Sequence, residues 1–158
     1  MTDRTVSHST FVIQRAYPSA PAQVFRALSD PARKRRWFAE GEGFELDSFE
    51  MDFRVGGVER SRFRFKAGSP VHEGTACAND SVYLDIVPNE RIVLAYTMTV
   101  AARRISASQA TFELVADGKG TKLVFTEQAA FFANADGPQV REQGWRVLLE
   151  QLAMELAQ

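Results

Sequence analysis

Val58-Glu59-Arg60-Ser61-Arg62-Phe63-Arg64-Phe65-Lys66 alternates with a period of two. Arg60, Arg62, Arg64 and Lys66 fall on one side, Ser61, Phe63 and Phe65 on the other. That is the pattern of a strand with one wet face and one buried face, as antiparallel sheets have. The same period governs the chain from residue 44 to residue 128. A strand over 44–54 precedes this one, joined to it by Val55-Gly56-Gly57, where glycine takes positive φ at little cost. Gly68-Ser69-Pro70 turns into a strand within 71–86, interrupted near Asn79-Asp80. Pro88-Asn89-Glu90 turns into 91–100, with Ile92, Leu94, Tyr96 and Met98 in phase. A turn over 101–104 leads to 105–115, and the hairpin signal Asp117-Gly118-Lys119-Gly120 to 121–128.

Outward from this meander, residues 11–17 read as one further strand, closed by Pro18, with residues 1–9 as a flexible lead-in. Ser19 is placed to cap a short helix with Pro21 in its first turn. Asp30-Pro31 repeats the signal for a second, running to about Trp37-Phe38. At the other end, Asp136-Gly137-Pro138 opens a long helix whose Trp145, Leu148, Leu149, Leu152 and Leu156 form one apolar stripe. Gly144 beside Trp145 suggests a close approach of helix to sheet. Seven strands, no βαβ alternation and a single long amphipathic helix exclude a doubly wound parallel fold. They predict an α+β domain over residues 10–158, with a curved seven-stranded antiparallel sheet wrapped round the C-terminal helix.

Composition narrows the function. The 19 Lys and Arg against 20 Asp and Glu leave a formal net charge of -1, which gives no electrostatic basis for nucleic-acid binding. Cys77 is the only cysteine, so no internal disulfide forms. No apolar run has the length to span a bilayer and the N-terminus lacks an apolar leader, so no membrane association and a cytoplasmic location are expected. Twelve Phe, two Trp and three Tyr suit either a large core or an aromatic-lined pocket.

Several segments resemble the SRPBCC superfamily (START and Bet v 1-like). Within it the similarity is to bacterial relatives of the Hsp90 ATPase activator homologue and to a polyketide cyclase-like subgroup. The segments are the run over 22–31 with Trp37-Phe38, Asp52-Phe53-Arg54-Val55-Gly56-Gly57, the run over 85–93, Gly120-Thr121-Lys122-Leu123, Val124-Phe125-Thr126-Glu127-Gln128 with Phe131-Phe132, and Gly144-Trp145. The resemblance spans about residues 10–156. It implies a helix-grip fold with a cavity between helix and sheet, and no single chemistry, since this fold hosts lipid binders, cyclases, hydrolases and co-chaperone domains.

The residues themselves offer little chemistry. Cys77, His8 and His72 lack ligand spacing, so no metal is expected, and no cofactor motif is present. Glu127 is the one catalytic candidate: it continues the phase of Leu123 and Phe125, which aims its carboxyl at the apolar face unless the strand ends there. Arg54 and Tyr96 are its candidate partners. Ser106, Ser108 and Ala110 share a phase with Phe112 and Leu114, small residues that leave room above the sheet or admit Trp145.

Three functions follow. The first is binding of a small apolar or aromatic molecule, by a monomer or homodimer, with Trp37, Phe63, Phe65, Tyr96, Met98, Ser108, Phe112, Glu127, Phe131 and Trp145 as the site and the loop 129–137 as a lid. The second is a cyclase or hydrolase using Glu127 as acid or base in the same place. The third is a protein-interaction module using the basic stripe Arg60, Arg62, Arg64 and Lys66. The run Arg33-Lys34-Arg35-Arg36 reads as a solvated face.

Overall fold

The computed structural model describes residues 5–41, 43–66 and 73–158. The expected turn Gly68-Ser69-Pro70, the start of the following segment and His72 lie outside the described residues. Seven strands form one antiparallel sheet: β1 Ser7–Tyr17, β2 Phe44–Met51, β3 Val58–Phe65, β4 Ala76–Val87, β5 Arg91–Val100, β6 Arg103–Asp117 and β7 Gly120–Phe131. Their order is β1-β7-β6-β5-β4-β3-β2, so the meander β2 to β7 is completed by β1 alongside the last strand. Between β1 and β2 come α1 Pro21–Ser29, α2 Pro31–Lys34 and a π-helical turn Arg35–Ala39; α3 Pro138–Leu156 closes the chain. This is the α+β helix-grip arrangement, and no helix among the described residues is long and apolar enough to cross a membrane.

Alternation decides which face is buried. Phe11 and Ile13, Tyr83, Leu94 and Tyr96, Phe112, and Leu123 and Phe125 all point to the concave side and join Val24, Leu28, Trp145, Leu149 and Leu152 in one core, while Phe63 is buried outside that cluster. The outward positions of the same strands, such as Gln109, Glu113 and Gln128, are exposed. Trp145, Leu149 and Leu152 are buried, and Leu148 and Leu156 flank them, so the predicted helical stripe is the one that meets the sheet.

Several local expectations are corrected. β1 starts at Ser7, because Ser7 to Thr10 continue the ladder against β7, where the sequence suggested a lead-in to residue 9. Ala20, not Ser19, caps α1: the Gln23 side chain accepts from the Ala20 N–H at 3.2 Å. Asp30 caps α2 as expected, accepting from the Ala32 N–H at 2.9 Å. The helix then widens into the π-turn, which extends it to Ala39. β2 ends at Met51 rather than at residue 54, where the chain folds back so that the Gly57 N–H donates to the Arg54 carbonyl at 2.8 Å. A Cβ at Gly57 would lie 2.1 Å from the Asp52 carbonyl oxygen, so only glycine fits that turn. β4 runs unbroken through Asn79 and Asp80, and its irregularity falls between Tyr83 and Asp85. At Gly144 a Cβ would meet nothing within 4 Å, so close helix–sheet packing does not account for this glycine.

Candidate functional site

Register carries the site. Tyr96 on β5 lies beside Ser108 on β6, which lies beside Ala129 on β7; one row along, Ala110 lies beside Glu127. The phase that points Leu123 and Phe125 inward also points Glu127 inward, and β7 does not end there but continues to Phe131. Glu127 is therefore 0 % exposed. A carboxyl so placed needs partners, since an unpaired buried charge is costly. It has three. The Tyr96 hydroxyl donates to Oε1 at 2.5 Å, the Trp145 indole N–H donates to the same oxygen at 2.9 Å, and Arg141 Nη1 stands 3.5 Å from Oε2.

Arg141 organises the surroundings. It is 6 % exposed, and its guanidinium forks onto Asp136 at 2.8 and 2.9 Å, donates to the Ser106 hydroxyl at 2.9 Å and reaches the Tyr96 hydroxyl at 2.9 Å. It also stacks over Phe131, 5.2 Å from the ring centre. Arg141 precedes Trp145 by four residues, so the two share one face of α3 and descend on Glu127 together.

Burial pushes Glu127 above the ordinary carboxylate value of 4.5; the Tyr96 hydrogen bond, the Arg141 charge and the Trp145 hydrogen bond oppose this without cancelling it. Burial likewise raises Tyr96, with Glu127 adding to the effect. Burial pulls Arg141 down, but Tyr96, Asp136 and Glu127 more than compensate and hold it firmly protonated. Because folded Glu127 binds its proton more tightly than the unfolded chain does, its contribution to stability falls as pH rises from about 4.5 through its folded value. Glu155 has the opposite sign. The Arg36 hydrogen bond lowers it, so its contribution is lost as pH falls through its own folded value. The stability difference between Glu127→Gln and wild type, followed by urea denaturation across pH 4–8, should therefore move in favour of the variant as pH rises. A difference flat in pH would show that Glu127 ionises freely in the fold.

A second buried polar cluster was not foreseen. Lys34, inside the basic run read as solvated, is 4 % exposed, and its ammonium meets Glu59 Oε1 at 2.7 Å. Glu59 also accepts from the Tyr83 hydroxyl. The Lys34 ammonium lies 4.7 Å above the Phe38 ring. Arg36 and Arg33 pair with Glu155, and Arg35 pairs with Glu40.

The predicted site residues separate into three groups. Tyr96, Ser108, Glu127, Phe131 and Trp145 do come together, with Met98 alongside Ser106 in the register. Phe112 and Trp37 belong to the packing: Phe112 lies 6.0 Å from the Trp145 ring, and the Trp37 indole donates to the Ala27 carbonyl at 2.8 Å. Phe63 and Phe65 pack on Phe44 toward the β2 edge of the sheet. Arg54 is exposed and pairs with Asp52, so Tyr96 is the correct partner of Glu127 and Arg54 is not. Phe131 is buried in β7 rather than displayed on a loop, which leaves 132–137 as the connection to α3. Two shallow hollows of about 470 Å³ each open on the outer face of the sheet, around Arg60, Asp80 and Thr97 and around His8 and Gln128, not beneath α3.

Sequence and structure comparisons agree on ancestry. The family model described as "Activator of Hsp90 ATPase homolog 1-like protein" matches residues 18–157. A crystal structure from Rhizobium loti is 45% identical, with 96% of this chain and 99% of that one covered and a TM-score of 0.85. A structure of a putative uncharacterized protein from Rhizobium leguminosarum is 40% identical over 99% of both chains, TM-score 0.88. The solution structure of an AHSA1-like protein from Aeromonas hydrophila shares the fold at 15% identity, TM-score 0.68, with 94% and 92% covered. No match was found among the curated proteins. With a concave sheet closed by a C-terminal helix, and a family model matching from Pro18 to Ala157, this chain belongs to the Activator of Hsp90 ATPase homolog 1-like family, within the SRPBCC class of folds.

Proposed function

We propose that this domain binds a small, largely apolar molecule against the concave face, with the Tyr96–Glu127–Arg141–Trp145 cluster as its polar anchor. The observation that carries this reading is Glu127 itself, fully buried in an aromatic layer yet supplied with three converging donors. Hydrophobic packing alone would be served at least as well by a leucine there, because a buried charge cluster rarely stabilises more than well-packed apolar groups. Phe112, Phe125 and Trp145 give the apolar wall. Entry is by displacement of residues 132–137, which the Asp136–Arg141 fork ties to the cluster.

Native mass spectrometry of freshly purified protein tests this. A stoichiometric small-molecule adduct, lost on denaturation and absent from Arg141→Leu, is the expected result. Adducts equally abundant on the variant would disconnect binding from the cluster. The raised carboxyl at Glu127, hydrogen-bonded to a phenol, also suits an acid or base, so a cyclase or hydrolase is the second reading. There Glu127→Gln abolishes turnover of the bound molecule and leaves its binding intact. The interaction-module reading has less support: Arg60, Arg62 and Arg64 are engaged by Asp80, Asp47, Glu45 and Glu50 on their own sheet, which leaves little free positive charge for a partner.

A further inference from the structure

We infer that the concave face selects a neutral aromatic molecule carrying a hydroxyl, and that Ser108 receives that hydroxyl while Asn79, two strands away, takes a water or a second polar group at the far end of the molecule; this rests on the binding role proposed above. Ser108 is 7 % exposed, and its Oγ has no hydrogen-bond partner. The Oδ1 of Asn79 is also buried and unpartnered. Buried polar atoms are nearly always paired, so each unpaired one calls for a water or a ligand. Both residues lie on the concave face, on either side of β5. Ser108 stands beside Tyr96, and Asn79 stands beside Met98. Two inter-strand steps separate the strands that carry them, roughly 10 Å, comparable with the length of a two-ring aromatic molecule. The neighbouring Ser106 hydroxyl is already taken by Arg141. Among the described residues the remaining unpartnered buried side-chain atom, Gln151 Oε1, lies against Gly41 and is not on the sheet.

Charge complements this geometry. Among the described residues, the two buried cations, Arg141 and Lys34, are matched by Asp136 and Glu127 and by Glu59. Each of those carboxylates is hydrogen-bonded in turn. A ligand carboxylate or ammonium would enter without a free counter-charge and lose its hydration uncompensated. A neutral hydroxyl satisfies Ser108 and brings no such cost.

The test compares three probes of one skeleton, naphthalene, naphthol and naphthoate, by titration calorimetry on the full chain. Naphthol should bind about tenfold more tightly than either of the others, the effect of one desolvated hydrogen bond. Ser108→Ala should bring naphthol down toward naphthalene, leave naphthalene unchanged, and raise the ligand-free melting temperature, because it deletes a buried unpaired hydroxyl. Asn79→Leu, about 10 Å from Ser108, should leave the preference for naphthol in place. If naphthol and naphthalene bind equally, Ser108 and Asn79 hold only water; this inference falls and the binding role stands. Tighter binding of naphthoate overturns the neutrality argument. If none of the three binds, the binding role fails with it.

Discussion

Trp145→Ala should cost about 4 kcal/mol of folding stability, the upper range for truncating a buried aromatic. The indole is the point at which α3 meets the sheet. Its ring lies 4.3 Å from Phe125, 6.0 Å from Phe112 and 6.0 Å from Phe38. Truncation leaves a void walled on three sides by rings that belong to different elements and cannot collapse together. It also removes the indole N–H from Glu127, whose carboxyl then keeps only Tyr96 and Arg141. Trp145→Phe separates the two effects. It refills most of the volume and deletes only the donor, so about 2 kcal/mol is expected, the range for a hydrogen bond to a charged group. Guanidinium denaturation of the three proteins measures both figures. A loss below about 1 kcal/mol for Trp145→Ala would mean that α3 docks chiefly through Leu149 and Leu152.

The sequence announces this helix and this sheet because both are written in period. Arg62 against Phe63 settles the face of β3, and Trp145, Leu149 and Leu152 settle the face of α3, without knowledge of any contact. Glu127 was legible for the same reason, and its burial follows from its phase once β7 is known to continue. Arg141 was not recognised, although its spacing of four residues from Trp145 places it on the buried stripe. A charged residue on an apolar face was the available signal. Lys34 was hidden by its neighbours. Arg33, Arg35 and Arg36 are themselves more exposed and pair with Glu155 and Glu40, and only the short α2 and its π-turn direct the fourth cation inward onto Glu59. Ends of elements were the least legible. Ser7, His8 and Ser9 have weak strand propensity, yet they pair with Phe131, Ala130 and Ala129 because β7 offers an open edge there.

The two buried clusters share a plan: a cation from a helical segment, a carboxylate from a strand, and a tyrosine hydroxyl from another strand donating to that carboxylate. Each ties a covering element to the sheet, α3 in one case and α2 with its π-turn in the other. The rings next to them, Trp145 and Phe38, touch each other over the core. The covering layer is thus fixed at two polar points with aromatic packing between them. Apolar contact is tolerant of sliding, whereas a hydrogen-bonded ion pair specifies one placement.

That reasoning gives the second large effect. Lys34→Met alone leaves the Glu59 carboxylate buried with Tyr83 as its remaining donor, and Glu59→Gln alone leaves the Lys34 ammonium buried against a neutral amide. Each should cost about 3 kcal/mol, the penalty for removing one partner of a buried pair. The double variant Lys34→Met with Glu59→Gln should return to within about 1 kcal/mol of wild type, because no uncompensated charge is left and the amide still accepts from Tyr83. Simple addition would give about 6 kcal/mol instead, so the two outcomes are well separated by urea denaturation. Additive losses would show that Lys34 and Glu59 each act through packing alone. Near-complete recovery would show that the pair contributes placement more than stability. In that case the double variant keeps its melting temperature, while Phe38, no longer held under a bound ammonium, loses its fixed position over Trp145.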